Sequence, residues 1–235
     1  MFELTLSPEE RASWDAGAPA PLAQALRARG VDDDAAVDAA ELLTATRQAP
    51  ALHGRLEVVR AGGAQVYELA VGPGVVASTP DVVKVAVVAT FPRLIADLVD
   101  LGPRPYDALI DAVPLPLEVA SLYCGHGAPA GELDEIERFF AADYPPAVLR
   151  ALLGEASTRW TLNLWAADGD AADPQVRIDV VDAGPAGLWL LGEGPTDDSV
   201  QAAPVNSTAV WVLIGCAMDA ALAESEAELS AERAV

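Results

Sequence analysis

The sequence predicts an α+β fold: a pseudo-twofold repeat of antiparallel β-β-β-α units that forms a central sheet, with helices on the flanks and a helical insert between the two halves. Segments 55–73 and 177–195 are related by a constant offset of 122 residues, and nine of their nineteen aligned positions are identical. Both segments alternate polar and apolar residues, which is the period of a strand. Each precedes a short stretch rich in Val and Ala and then a long apolar segment.

In each copy, the first limb places apolar side chains on one side of a strand and charged side chains on the other. Leu56 and Val58 are expected to point inward, like their counterparts in the second copy. The Ala-Gly dipeptide that follows breaks the strand and a second apolar limb returns, so each copy predicts an antiparallel hairpin. Asp81 is a suitable N-cap for the helix that ends the first unit, and Asn206 is one for the helix that ends the second unit. The second helix is expected to end near Leu222.

The whole chain, residues 1–235, is expected to form a single domain, because two copies that each need a covering partner favour one merged core. The opening residues predict a strand, and Ser7 and Glu10 form a capping box for the helix that follows it. The expected parts are an N-terminal half (1–104), a helical insert (105–155), a C-terminal half (156–224) and an acidic tail (225–235).

The charge of the chain excludes several classes of partner. The sequence has 36 acidic and 14 basic residues, a formal net charge of −22, whereas nucleic acids and anionic membranes are bound by basic surfaces. No secretory signal is expected, because a basic first segment is missing. The apolar runs are interrupted by Lys84 and Pro92, or by Asn206 and Asp219, and fall short of the roughly 20 residues of a membrane helix. We therefore expect a cytoplasmic protein without membrane insertion, and its oligomeric state stays open.

The sequence contains no recognisable catalytic constellation. It has two histidines and lacks the nucleophile-elbow, Walker A, zinc-protease and paired Cys-x-x-Cys motifs. Cys124 lies close to His126, but thiol catalysis also needs an orienting group, so a structural thiol is favoured. Cys216 is expected to be a small core residue. The loop 168–173 lacks the sixth-position Gly and the twelfth-position Glu of a calcium loop and predicts a turn. No cofactor, metal site or enzymatic activity is expected.

The outward positions of the predicted strands carry the candidate binding residues. Three of the 14 basic residues fall on these positions together with two acids and a tryptophan. One interpretation is cross-strand ion pairing beneath solvent or beneath the helical insert. The other is a docking face for another protein, because Trp and Arg are enriched at binding hot spots. The residues concerned are Arg55, Glu57, Arg159, Trp165, Arg177 and Asp179.

The order of several short motifs resembles the EspG family of chaperones associated with type VII (ESX) secretion. The motifs are the opening FELTL, a Leu/Pro-rich helical run, RLEVV at 55–59, LVDLGPRP at 98–105 and VPLP at 113–116, followed by a second sheet unit. The resemblance implies an α+β fold with two related subdomains around an antiparallel sheet. It also implies a cytoplasmic chaperone that binds PE/PPE-like substrates and keeps them soluble. Because the loop at 60–64 is short, a WXG-like helical partner is equally expected.

Two rival functions stay open at this point. The first is a small-ligand binding module that uses a cleft between the two halves, with Trp165 and Trp189 as stacking groups. The second is a hydrolase built from scattered acids, which would need two facing carboxylates in a cleft. The expectation that combines the residues with the resemblance is a non-enzymatic chaperone for a helical secretion substrate.

Overall fold

The computed structural model describes residues 1–107, 111–140, 146–154 and 157–232. The first part of the chain runs through one strand, three helices, four strands and a helix. These elements are β1 (Phe2–Leu4), α1 (Pro8–Asp15), α2 (Ala20–Ala28), α3 (Asp33–Gln48), β2 (Leu52–Arg60), β3 (Gly63–Val71), β4 (Gly74–Ser78), β5 (Val83–Val87) and α4 (Phe91–Val99).

The second part of the chain runs through the same order of element types. Its elements are β6 (Val113–Pro116), α5 (Leu117–Tyr123), α6 (Ala130–Phe140), α7 (Pro146–Leu153), β7 (Thr158–Ala166), β8 (Val176–Asp182), β9 (Leu188–Glu193), β10 (Ser199–Val205) and α8 (Ser207–Glu232). The predicted helical region 105–155 therefore also contains a strand, β6, and parts of that region and of the predicted tail lie outside the described residues.

The described strands form one antiparallel sheet of ten strands in the order β1-β5-β4-β3-β2-β7-β8-β9-β10-β6. The predicted α+β class is confirmed. The predicted equivalence of segments 55–73 and 177–195 is not confirmed. The offset of 122 residues aligns β2 with β8, whereas the order of elements makes β7 the counterpart of β2. The two central strands pair directly, with Leu56 facing Leu162 and Val58 facing Trp160. Each half contributes five strands, not the three or four that the sequence predicted.

The two predicted helix caps have different outcomes. Asn206 caps α8, where its side-chain oxygen accepts a hydrogen bond of 2.8 Å from the backbone N–H of Ala209. Asp81 does not cap a helix, because the apolar run after it forms β5 and α4 begins only at Phe91. A short run rich in valine fits a buried strand and a buried helix equally well by periodicity, which explains the error.

Helices cover the two faces of the sheet differently. On one face, α4 and α8 pack across the central strands, where Leu56, Trp160 and Ile95 lie in one buried cluster. On the other face, α1, α2 and α3 cover the β1 side around Trp14. The helices α5, α6 and α7 cover the β6 side around Trp189. Between these two groups of helices, β2, β7 and β8 form the middle of this second face, which the described helices leave uncovered.

Helix α8 departs from two expectations. Its residues Ser207–Ser225 form a 19-residue stretch that is long and apolar enough to cross a membrane, so the expectation that no apolar run would reach this length is wrong. One side of α8 packs on the sheet through Val210, Ile214 and Met218, but only 28% of the stretch is buried. Cys216, expected in the core, is exposed. The helix also continues to Glu232, through most of the segment predicted as a tail.

Candidate partner-binding groove

The six residues singled out in the sequence lie on one face of three neighbouring strands. Within the sheet register, Arg55 of β2 faces Asn163 of β7, which in turn faces Arg177 of β8. One step along the strands, Glu57 faces Thr161, which faces Asp179. Alternation along the strands places these residues opposite the buried Leu56 and Leu162. The structure thus brings the sequence-predicted residues together on the face that α4 and α8 do not cover.

Two of the three arginines are held by one buried carboxylate. Asp179 is 6% exposed and accepts hydrogen bonds from Arg159, at 2.8 Å from Nε and 2.5 Å from Nη2. Nη2 of Arg177 donates to the same carboxylate at 3.3 Å. The hydrogen bonds to Asp179 raise the pKa of Arg159 above its ordinary value, although burial acts in the opposite direction. Asp179 and Arg159 therefore form a structural ion pair, whereas the Arg177 side chain is 59% exposed.

The turn after α5 covers this ion pair. Gly125 has a positive φ of 81°, and a Cβ added there would lie 2.7 Å from Cβ and 2.8 Å from the backbone nitrogen of Arg159. Glycine is required for both reasons, since side chains disfavour this φ and the sheet leaves no space. Cys124, in the same turn, is fully buried, which raises the pKa of its thiol to about 12. The Cys-Gly-His-Gly motif is thus a packing turn with a protonated thiol at neutral pH.

The open part of this face forms a groove between the two groups of helices. A cavity of about 240 Å³ lies over the middle strands, and one of about 490 Å³ continues beneath α5. On the opposite side, Asp15 and Arg47 of α1 and α3 border a third cavity. We call this surface the sheet groove; its floor consists of His53, Arg55, Glu57, Thr161, Asn163, Trp165 and Arg177.

The floor of the sheet groove combines an aromatic pair with an unsatisfied polar atom. The rings of His53 and Trp165 stack with centroids 6.2 Å apart and an interplanar angle of 22°. In the described part of the chain, Oδ1 of Asn163 is buried without a hydrogen-bond partner. A buried acceptor of this kind costs free energy until a donor reaches it. The floor therefore offers stacking area, charge and an open acceptor.

Sequence reasoning missed several residues of the groove. Asn163 and Thr161 are uncharged and were passed over, although they alternate with Trp160 and Leu162 and so had to share the face of Arg159. Leu117 and Leu122 of α5 are 44% and 54% exposed, and Leu117 borders the larger cavity. Their pattern in a short helix gave no signal, because the strands of the groove floor are distant from α5 in the sequence.

Within the described ranges of the chain, Trp165 and Trp189 do not line a common cleft between the two halves. Trp189 is buried in the cluster around α5, α6 and α7, where its indole N–H donates to the carbonyl oxygen of Ala186 at 3.1 Å. Trp165 lies in the sheet groove, so the two rings share no pocket. Between the halves, β2 and β7 pair along their length over a filled core. Among the described residues, no group of three or more His, Cys, Asp or Glu side chains could hold a metal ion.

No protein-family model and no curated protein matches this chain. Its structure is similar to that of EspG5, the Mycobacterium tuberculosis type VII secretion system chaperone, solved in complex with the PE25–PPE41 dimer. The TM-score is 0.51 and the sequence identity 16%, over 93% of this chain and 96% of that chain. The chain has the EspG5 fold. The resemblance drawn from the sequence is confirmed at the level of the fold, and the sheet groove is a feature of this chain within that fold.

Proposed function

We propose that this protein is a chaperone of a type VII secretion system. It binds a helical substrate, PE/PPE-like or WXG-like, in the cytoplasm and keeps it soluble for export without performing chemistry. The observation that carries the proposal is the similarity to EspG5 along 93% of the chain, since EspG5 is a chaperone solved with a PE25–PPE41 dimer. A similarity over 93% of the chain includes both halves, so the architecture that EspG5 uses is present in this chain as well.

The sheet groove is the proposed substrate site. Trp165 supplies a rigid aromatic contact and Arg177 a guanidinium with free donors, and these residue types dominate binding energy at interfaces. The ion pair with Asp179 already restrains the Arg177 side chain, so less side-chain entropy is lost when a partner binds. The buried oxygen of Asn163 provides a place for a partner's donor. Exposed Leu117 and Leu122 on the wall add apolar area beside this polar floor.

The remaining proposed groove residues divide by role. Arg55 is exposed on β2 and Glu57 is half-buried opposite Thr161, so both are available to a partner. Arg159 and Asp179 form an ion pair with each other and support the floor of the groove. We therefore propose direct contact for Arg55, Glu57, Trp165 and Arg177, and a supporting role for the Arg159–Asp179 pair.

The strong negative charge of the chain also fits the proposed role as a chaperone. A net charge of −22 keeps a complex in solution even when it contains a poorly soluble substrate. It also favours a partner whose contacting end is neutral or basic, because like charges oppose association.

Co-expression tests the proposal. The chain would be produced with PE25–PPE41 as one probe and with the PE/PPE-like and WXG-like pairs encoded near its own gene as others. We expect one of these pairs to co-elute with the chain in size-exclusion chromatography. Arg177→Glu should weaken this complex by about tenfold or more, because a repelling charge replaces a donor at the groove floor.

Arg93→Glu is the matched control for that variant. Arg93 lies on α4, on the opposite face of the sheet, and its side chain is 70% exposed. The same charge reversal there should leave binding unchanged. Failure of every helical pair to co-elute would contradict the chaperone function, and equal loss in both variants would contradict the groove as its site.

A further inference from the structure

Helix α8 carries an apolar surface on the face of the molecule opposite the sheet groove. Trp211 and Val212 are 42% and 54% exposed, and Ala209, Cys216, Ala220 and Ala223 are exposed beside them. Up to Met218 the helix carries no charged side chain, a pattern that is typical of helices that are buried all round, and its first exposed acid is Asp219. Among the described residues, the contacts cover the side of α8 that carries Val210 and Ile214.

The absence of charge on this surface matters because the molecule as a whole is strongly acidic. Between Ser207 and Met218 the sequence contains no Asp, Glu, Lys or Arg, while the chain carries a net charge of −22. Two copies of such a protein repel each other wherever their acids meet. The first half of α8, up to Met218, is a surface where a second copy can approach without placing carboxylates against carboxylates, and exposed Asp219 lies just beyond it.

The exposed stripe is symmetric about its middle residue. Its members Ala209, Val212, Cys216, Ala220 and Ala223 lie seven and four residues before Cys216 and four and seven residues after it. If two α8 helices pack antiparallel with Cys216 at the twofold axis, Val212 of each copy faces Ala220 of the other. Ala209 then faces Ala223. A twofold interface needs self-complementarity of this kind, in which the same residues of both copies face each other.

Charge also favours the antiparallel direction. In this arrangement Glu224 of each copy comes close to Thr208, in the first turn of the other copy's α8. The N-terminus of a helix carries a partial positive charge, which a carboxylate stabilises. Parallel packing would instead bring the two copies of Glu224 together.

We propose that the protein forms a homodimer through antiparallel packing of α8 against α8 of a second copy. The interface uses the face that carries α4 and α8, so both sheet grooves stay accessible in the dimer. This proposal does not depend on the proposed chaperone function, since it concerns a separate surface.

Sedimentation equilibrium over a series of protein concentrations tests the dimer. We expect a reversible monomer–dimer equilibrium that strengthens as salt is added, because salt screens the repulsion between two acidic copies. Val212→Glu should raise the dissociation constant by at least about tenfold, because it places an unpaired carboxylate in the contact. Val87→Glu is the matched control, since Val87 is 60% exposed on β5 and lines a cavity with residues of α2 and α3.

Cross-linking tests the axis of the dimer. Among the two cysteines, Cys216 is exposed and Cys124 is buried, so a short bismaleimide should join Cys216 to Cys216 and yield a covalent dimer. Cys216→Ser should abolish the product and Val212→Glu should reduce it.

Three results would overturn the proposal. These are a monomer at every concentration and salt level, equal effects of the two glutamate variants, and a dimer that does not cross-link through Cys216. Binding of the wild-type chain to neutral lipid vesicles through Trp211, without dimerisation, would assign the apolar surface to a membrane and would equally contradict it.

Discussion

The two halves of the molecule follow the same order of elements, yet they present very different surfaces. The last helix of the first half, α4, has nine residues, six of them buried. The last helix of the second half, α8, has 26 residues and leaves an apolar side exposed. On the other face of the sheet, Glu68 of β3 is exposed, whereas Asp179 of β8 is buried beneath the α5 turn. Similar topology thus sets the sheet, while helix length and loop packing decide which surfaces each half leaves exposed.

The largest expected difference between the halves concerns their carboxylates. Asp179→Ala should lower the free energy of unfolding by about 3 kcal/mol, because it leaves the guanidinium of Arg159 partly buried without its partner. Glu68→Ala, on the exposed strand of the first half, should change it by less than about 0.5 kcal/mol. Urea unfolding of both variants measures these values. Equal effects would show that the α5 turn does not isolate Asp179 from water.

A smaller difference is expected between two glycines with positive φ. Gly125→Ala should destabilise the fold by about 2 kcal/mol or more, because it adds a clash with Arg159 to the strain of the backbone. Gly63 has a φ of 131°, but nothing lies within 4 Å of the Cβ that Gly63→Ala would add. It should cost about 1 kcal/mol, which is the conformational part alone. Thermal unfolding compares them, and a larger cost at Gly63 would contradict the packing of the turn on the sheet.

The smallest expected difference concerns the two predicted caps. Asn206→Ala should cost about 1 kcal/mol, because the first turn of α8 loses a hydrogen bond to its backbone. Asp81→Ala should cost less than about 0.5 kcal/mol, since Asp81 lies before a strand and caps no helix. Chemical denaturation of the two variants measures these free energies. An equal loss for Asp81→Ala would indicate that Asp81 has another structural role.

Local periodicity predicted a large part of the fold and of the groove. The capping box was read from four residues and is present, with Ser7 and Glu10 exchanging hydrogen bonds. Strict alternation placed Arg55, Arg159 and Arg177 on one face before any strand order was known. These features depend only on neighbours in the sequence, which is why the sequence was sufficient to find them.

The remaining features depend on contacts between distant segments. The central pairing of β2 with β7 joins residues about a hundred positions apart, so the similarity between 55–73 and 177–195 suggested the wrong counterpart strand. Gly125 gains its importance only because Arg159 lies beneath it. The exposure of α8 could not be predicted either, since an apolar helix of this kind is usually covered on all sides.

Hydrogen–deuterium exchange of the chain with and without its co-purified helical substrate tests the central claim most directly. The account predicts slower exchange on substrate binding in β2, β7 and the turn that contains Gly125, with no change in α8. Protection that appears in α8 while the groove strands exchange as before would contradict it, because the substrate would then occupy the opposite face of the sheet.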